Sequence, residues 1–219
     1  VVSKMSTTRV QLIDKNTTVG TSAAEDTKIV FDGNAQDYHI GLDDSDDSLT
    51  IGLGSALGTT SYMNINADGS ITKPLQPAFL VKPASNQSDF AQGSTVTINF
   101  GTEVFDNNAD FASDTFTAPV TGRYCFQFAI QINQISTQDS ALYYYIELNT
   151  SNRAYYNLSA IQEAVGSSAG QLYFTLSASA LADMDANDTV TCRVVMGGTS
   201  GTGPSDISTN SHWSGFLVC

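Results

Sequence analysis

From Gly122 to Ile132 the chain alternates with a period of two. Tyr124, Phe126, Phe128, Ile130 and Ile132 fall on one side, and Arg123, Cys125, Gln127, Ala129 and Gln131 on the other. That period is a strand with one face in a core, and Pro119 and Gly122 set a turn ahead of it. The same alternation predicts strands over Thr95–Phe100, with Val96, Ile98 and Phe100 inward, and over Leu142–Leu148. In the latter, Leu142, Tyr144, Ile146 and Leu148 oppose Tyr143, Tyr145 and Glu147. Pro77–Val81, Gln171–Leu176, Thr189–Met196 and His212–Cys219 add further strands, with no helical stretch between them. About eight strands at this spacing predict a jelly-roll sandwich.

Ahead of Pro74 the pattern is different. Lys28–Gly33, Asp37–Leu42, Ser48–Leu53, Tyr62–Asn66 and Ser70–Thr72 are short apolar pieces cornered by Gly and Asp. Each is too short to build a core of its own. Repeated short strands without a hydrophobic reserve predict a segment that buries its apolar side against other copies of itself, as a trimeric, intertwined β stem would. The expected organisation is therefore 1–27 as an attachment or linker segment, 28–76 as a trimeric β shaft, and 77–219 as a jelly-roll knob. The fold class is all-β and homotrimeric.

Composition narrows the partners. The 219 residues carry a formal charge of −13, with only 14% charged residues and 41% hydrophobic ones. An acidic chain is repelled by phosphate backbones and anionic lipid surfaces, so nucleic acid is not an expected partner. No apolar run approaches the roughly 18 residues of a membrane span, so no membrane insertion is expected. The three cysteines, Cys125, Cys192 and Cys219, form no CxxC pair. Cys192 is in phase with Val190 and Val194 and is expected in the core. A Cys125–Cys219 bridge requires their strands to be neighbours.

The stretch Phe116-Thr-Ala-Pro-Val-Thr-Gly-Arg-Tyr-Cys-Phe-Gln-Phe-Ala-Ile-Gln-Ile132, the opening Pro77-Ala-Phe-Leu-Val81, the Glu103-Val-Phe-Asp106 and Phe111 positions, and the closing Trp213-Ser-Gly-Phe-Leu-Val-Cys219 occur in an order that resembles the globular head of the first complement component's q subunit. That family shares a trimeric jelly roll with tumour necrosis factor. The resemblance covers about 77–219 and implies a homotrimer that packs aromatic residues around its three-fold axis. Both faces of the 142–148 strand carry large groups, and Phe216 opposes Trp213 and Leu217, so Tyr143, Tyr145 and Phe216 are the expected trimer-interface residues. The region Ile29–Pro74, with Phe31-Asp-Gly33, Ile40-Gly41, Ile51-Gly52 and Asp68-Gly69, resembles the shaft segments of bacteriophage tail-fibre and virion-spike proteins.

Candidate chemistry is sparse. Asp43, Asp44, Asp46 and Asp47 are the densest acidic cluster and the candidate calcium ligands. They lack the Gly and closing Glu of an EF-hand loop, and a solvated turn explains them equally. Asp183-Met-Asp-Ala-Asn-Asp188 has the same shortcomings and reads as a turn. His39 and His212 have no nucleophile beside them, no Gly-x-Ser-x-Gly is present, and Gly52–Gly58 is followed by neither Lys nor helix. Glu is limited to Glu25, Glu103, Glu147 and Glu163, so paired carboxylates for glycan cleavage are not indicated and no enzyme or cofactor is expected.

The expected function is attachment: a phage fibre or spike whose knob meets a host cell-surface receptor or glycan, with the N-terminus bound to other virion proteins. Its place would be the virion surface, extracellular. The alternative is a structural virion component (head fibre, decoration or cement protein) with an assembly role. Receptor contacts are expected in exposed loops, over Ser85–Ser94, Asn107–Ser113, Asn149–Asn157 and Gly197–Asn210. Asn107, Asn108, Asp110, Arg153, Tyr155 and Tyr156 are the candidate contact residues.

Overall fold

In the computed structural model of the chain, residues 18–90, 93–135, 141–160, 172–198 and 205–219 are described. Residues 1–17 of the expected attachment segment lie outside them, as does 199–204 of the last candidate loop. The chain divides into two units, Val1–Pro74 and Leu75–Cys219.

The first unit is an antiparallel meander of five strands in sequence order: β1 (Thr27–Phe31), β2 (Tyr38–Asp43), β3 (Ser48–Leu53), β4 (Ser61–Ile65) and β5 (Ile71–Thr72). These are the short pieces that the apolar pattern marks out, within a residue or two at either end. Alternation sorts their side chains onto two faces. On one face lie the buried residues among those described in the unit: His39, Gly41 and Asp43 on β2 and Ser48, Thr50 and Gly52 on β3. Several of their polar groups are paired locally, while His39 Nε2 is enclosed without a hydrogen-bond partner. The Ser48 and Thr50 hydroxyls are 3.2 Å apart, Thr50 donates to Asn64 Oδ1 at 3.2 Å, and His39 Nδ1 meets the Gly54 carbonyl at 2.9 Å. The other face carries the isoleucines, leucines and aromatics, and among the described residues of this unit no apolar side chain is buried.

The second unit holds the core. Its strands are β6 (Ala78–Lys82), β7 (Gln87–Phe90), β8 (Thr95–Thr97), β9 (Thr102–Asp106), β10 (Phe111–Ala112), β11 (Thr115–Thr117), β12 (Gly122–Ile135), β13 (Ala141–Thr150), β14 (Ala154–Ala160), β15 (Leu172–Met184), β16 (Thr189–Gly198), β17 (Ser205–Ile207) and β18 (His212–Leu217). They form a six-stranded sheet, β10-β11-β16-β13-β14 with β8 also on β16, and a seven-stranded sheet, β7-β17-β12-β18-β6-β9 with β15 on the free side of β12. All pairings are antiparallel.

Between the sheets lies one aromatic cluster. Phe79 stacks on Phe116 at 5.0 Å and meets Trp213 edge-on at 5.1 Å and 86°. Such ring pairs add about 0.5–1.5 kcal/mol each beyond their buried area. Gly215 is obligatory here, because a Cβ would fall among the Phe126 and Phe79 rings. Tyr124 sits wholly inside and donates its hydroxyl to the Val120 carbonyl at 2.7 Å, which ties the strand to the turn before it.

Several elements differ from the expectation, among them β7 and β10, which form strands inside the expected loops Ser85–Ser94 and Asn107–Ser113. β15 runs for 13 residues, well beyond Leu176, because Ala178, Ala180 and Ala182 continue the core face with side chains small enough to lie under the rings of β12. Residues 154–160 form the edge strand β14, which begins inside the expected loop Asn149–Asn157. Ser205–Ile207, inside another expected loop, is the wholly buried strand β17, with Ile132 paired to Ile207. For β15 and β17 pairing to a distant strand overrides local polarity, and for β14 the hairpin with β13 does so.

Candidate functional site

The expected contact residues do not form one patch. Asn107 and Asn108 lie in a single 3-10 turn, Asn107–Ala109, and both amides face inward along the chain. Asn107 Nδ2 donates to the Gln76 carbonyl at 3.2 Å and Asn108 Nδ2 to the Leu75 carbonyl at 3.0 Å, clamping the segment that leads into β6. Asp106, just before the same turn, accepts from the amides beyond it, Asp110 at 3.2 Å and Phe111 at 2.9 Å. Asp110 is half-buried, with one carboxylate oxygen enclosed and unpartnered. Desolvation, and then the Asp106 charge, hold its carboxyl above the usual carboxylate range.

Arg153 is at the opposite end of the chemistry. It closes a tight turn in which the Thr150 hydroxyl donates to the Arg153 carbonyl at 2.8 Å, and its guanidinium pairs with Asp183 at 3.1 Å, both largely exposed. Beside this pair Arg123, Asn152, Asp183, Asp185 and Cys219 line a cavity of about 350 Å³. It is built from the start of β12, the β13–β14 turn, the end of β15 and the last residues of the chain. No local sequence signal could have found it, because its members come together only by pairing. Asn152 donates to Asp188 Oδ2 at 2.6 Å, and the same oxygen accepts from the Asp185 amide at 2.8 Å, so the 183–188 carboxylates organise a turn.

Tyr155 and Tyr156 separate by alternation. Tyr155 packs against the core, and burial pushes its hydroxyl pKa up. Tyr156 is 64% exposed and meets Tyr145 edge-on at 5.5 Å. Tyr145 in turn stacks with Tyr143 at 6.0 Å and 16°. Tyr143 lies over Gly197, where any Cβ would enter its ring. Below the rings, Arg193 on β16 pairs with Glu147 on β13 at 3.1 Å. Tyr143, Tyr145, Tyr156, Glu147 and Arg193 thus form one aromatic surface around a charge pair, on the outward side of the six-stranded sheet.

Phe216 is elsewhere. Register places it with Cys125 and Leu181 in one rank on the outward side of the seven-stranded sheet, with Leu80 and Phe105 in the neighbouring rank. The three residues expected at a common interface are therefore on opposite outer faces of the sandwich. Cys125 is paired with Phe216, while Cys219 lies past the end of β18 beside Arg123, and all three cysteines are free thiols. Cys192 is wholly buried, and burial pushes its thiol well above the ordinary range.

The acidic cluster of the first unit is a β2–β3 turn. Asp43 accepts from the Ser45 hydroxyl at 2.6 Å and from its amide, and Asp46 accepts from the Ser48 amide at 3.2 Å. Asp43, Asp44 and Asp47, with Glu25, line a cavity of about 300 Å³. Among the described residues no three His, Cys, Asp or Glu side chains converge to share an ion.

A two-sheet antiparallel sandwich with short strands and no helix beyond one 3-10 turn among the described residues defines a jelly roll of the tumour-necrosis-factor type. Within that class the chain belongs to the C1q domain family, whose model matches residues 78–218. Among solved structures it is similar to the globular domain of zebrafish complement 1qA protein, at 18% identity over 66% of this chain and 98% of that one, with a TM-score of 0.42. It is also similar to murine APRIL at pH 8.0, at 9% identity over 65% of this chain and 99% of that one, with a TM-score of 0.46. No curated protein matches the chain.

Proposed function

We propose that the chain is the attachment protein of a virion fibre or spike, a homotrimer in which a β stem carries a C1q-type head to a host-surface receptor or glycan. Domains of this family typically form homotrimers and bind receptors. The observation that carries the reading is the pairing of such a head with a preceding unit whose described residues bury no apolar side chain. A stem of that kind suits a bacteriophage fibre at the virion surface, outside the host cell, with its N-terminal segment joined to other virion proteins. The reading includes no catalysis and no cofactor.

Geometry supports one outer face of the head as the one at the axis. Three copies around an axis each fill a third of a turn, so the two surfaces a copy offers its neighbours are inclined to each other and cannot be the opposite faces of one sandwich. Leu181, Phe216, Leu80 and Phe105 form an apolar patch on the seven-stranded sheet, bordered by Ser214, Gln127 and Ser179 but by no charge pair, as the core of an interface requires. The six-stranded face keeps three hydroxyls outward over a largely enclosed charge pair. The axis therefore belongs with Phe216, and Tyr143, Tyr145 and Tyr156 belong with the ligand. Ring faces cover the C–H patches of a sugar, and Glu147 and Arg193 offer acceptor and donors for its hydroxyls.

The test is saturable binding of the fluorescently labelled full chain to a panel of bacterial cells and their surface polysaccharides. Competition by unlabelled protein, and loss of binding in Tyr156→Ala with trimer mass unchanged, support the reading. Binding that survives both Tyr156→Ala and Arg153→Ala removes these residues from the site. Absence of binding from a verified trimer turns the assignment to a structural virion component.

A further inference from the structure

The first unit has its polarity reversed. Cross-strand register aligns Ile29, Ile40, Ile51 and Met63 in one rank, and Leu42, Leu49, Ile65 and Ile71 in the next, with Phe31, Tyr38 and Leu53 beyond. All point to the same side, and no charged residue interrupts the ranks. The opposite side is the one that is buried, and it carries His39, Asp43, Ser48 and Thr50. A sheet in this arrangement exposes what the hydrophobic effect would remove from water and gains little from what it covers.

We propose that this face is the inner wall of a three-fold stem formed by three copies of the chain, and that the unit acquires a hydrophobic core only when the copies meet. The proposal rests on the trimeric reading of the head and adds to it a second, separate interface and a coupling of stem folding to assembly.

Three observations select copies of the chain as the occupant. Ile29, Phe31, Tyr38, Ile40, Leu42, Leu49, Ile65 and Ile71 are each between 36% and 60% exposed. Together they offer an area of the order of the roughly 800 Å² that each partner brings to a standard interface. The chain's net charge is −13, so copies repel wherever charges meet, and this uncharged face is where they can approach closely. Finally, a trimeric head holds its three stems at an effective concentration on the order of millimolar, which makes a copy the partner closest to hand.

The experiment uses the full chain with Ile40→Asp and Ile51→Asp together, and Lys28→Asp on the opposite side as control. Mass is read by sedimentation and backbone protection by hydrogen–deuterium exchange. The expected result is a trimer in all three proteins, with amides of residues 38–65 exchanging at least about tenfold faster in the double variant while β12 and β18 stay protected. Unchanged stem protection in a trimeric double variant overturns the stem proposal and leaves the head reading standing. A monomeric parent protein overturns both. A second measurement does not depend on a destabilised variant: in a Cys125→Ser, Cys219→Ser background, Ile51→Cys should cross-link pairs of chains on mild oxidation, and Lys28→Cys should not. Absence of the Ile51→Cys cross-link in a trimer also overturns the proposal.

Discussion

Glu147 and Arg193 stand directly opposite one another on β13 and β16, 3.1 Å apart, with side chains only 10% and 27% exposed. A pair this enclosed is set by what surrounds it. Tyr145 flanks Glu147 on the same strand, Tyr156 is its cross-strand neighbour on β14, and Arg193 Nε is enclosed without a partner. Removing one member leaves the other charge among aromatic rings. Arg193→Ala should therefore lower stability by about 1–3 kcal/mol, less than the 3–5 of a fully buried pair because truncating Arg193 opens a path for water to the Glu147 carboxylate. The double variant Glu147→Gln, Arg193→Met should lose less than Arg193→Ala alone. Denaturant unfolding of the three proteins checks this, and a double variant at least as damaged as the single one contradicts it.

Gly215 gives a sharper test of core packing. A Cβ there would meet the Phe126 and Phe79 rings, which are themselves held by Phe116 and Trp213. Gly215→Ala should cost about 1–3 kcal/mol from overpacking and alter the fluorescence of Trp213, the only tryptophan. An unchanged melting temperature would mean that the cluster has room to spare.

Asp110 sets a pH dependence. Its carboxyl is held above the ordinary 3.8 by desolvation and by Asp106. A raised native pKa means the folded state holds the proton more tightly than the unfolded chain does. The favourable contribution is complete below the unfolded value and is lost as pH rises through the native one. Asp110→Asn, which fixes a neutral group, should raise the melting temperature at pH 7 and lose that advantage below about pH 4. A benefit that grows toward acid pH would have the wrong sign.

The three thiols should differ in reactivity. Cys219 is exposed, Cys125 half-buried and Cys192 wholly enclosed with its thiol pKa pushed far up. Since the thiolate is the reacting form, a disulfide reagent at pH 8 should label Cys219 first, Cys125 more slowly and Cys192 only on unfolding. Mass spectrometry of the labelled peptides identifies each site, and early labelling of Cys192 would show that the core opens locally.

Much of the head was legible because its strands announce themselves by period. Tyr124 to Ile132, Tyr144 to Leu148 and Val190 to Met196 are large apolar residues in strict alternation, and burial follows from that pattern alone. The short strands ahead of Pro74 were legible for the same reason, down to the corners set by Gly and Asp. The second half of β15 was not, because Ser and Ala alternate with almost no contrast in hydrophobicity. Nor was β17, whose Ser205 and Asp206 are buried only because distant strands need partners there.

By itself the sequence determined the all-β class, the strands of the core, the C1q-type order of motifs and the inward place of Cys192, since each depends on period or on a short local run. Only the tertiary structure decided which outward residues share a surface. Tyr143 and Tyr145 join Tyr156 around the Glu147–Arg193 pair, Phe216 goes to the other side of the sandwich, and Asn107 and Asn108 turn back to hold Leu75 and Gln76. Alternation tells which residues leave the core, and the register of strands far apart in sequence tells which of them meet.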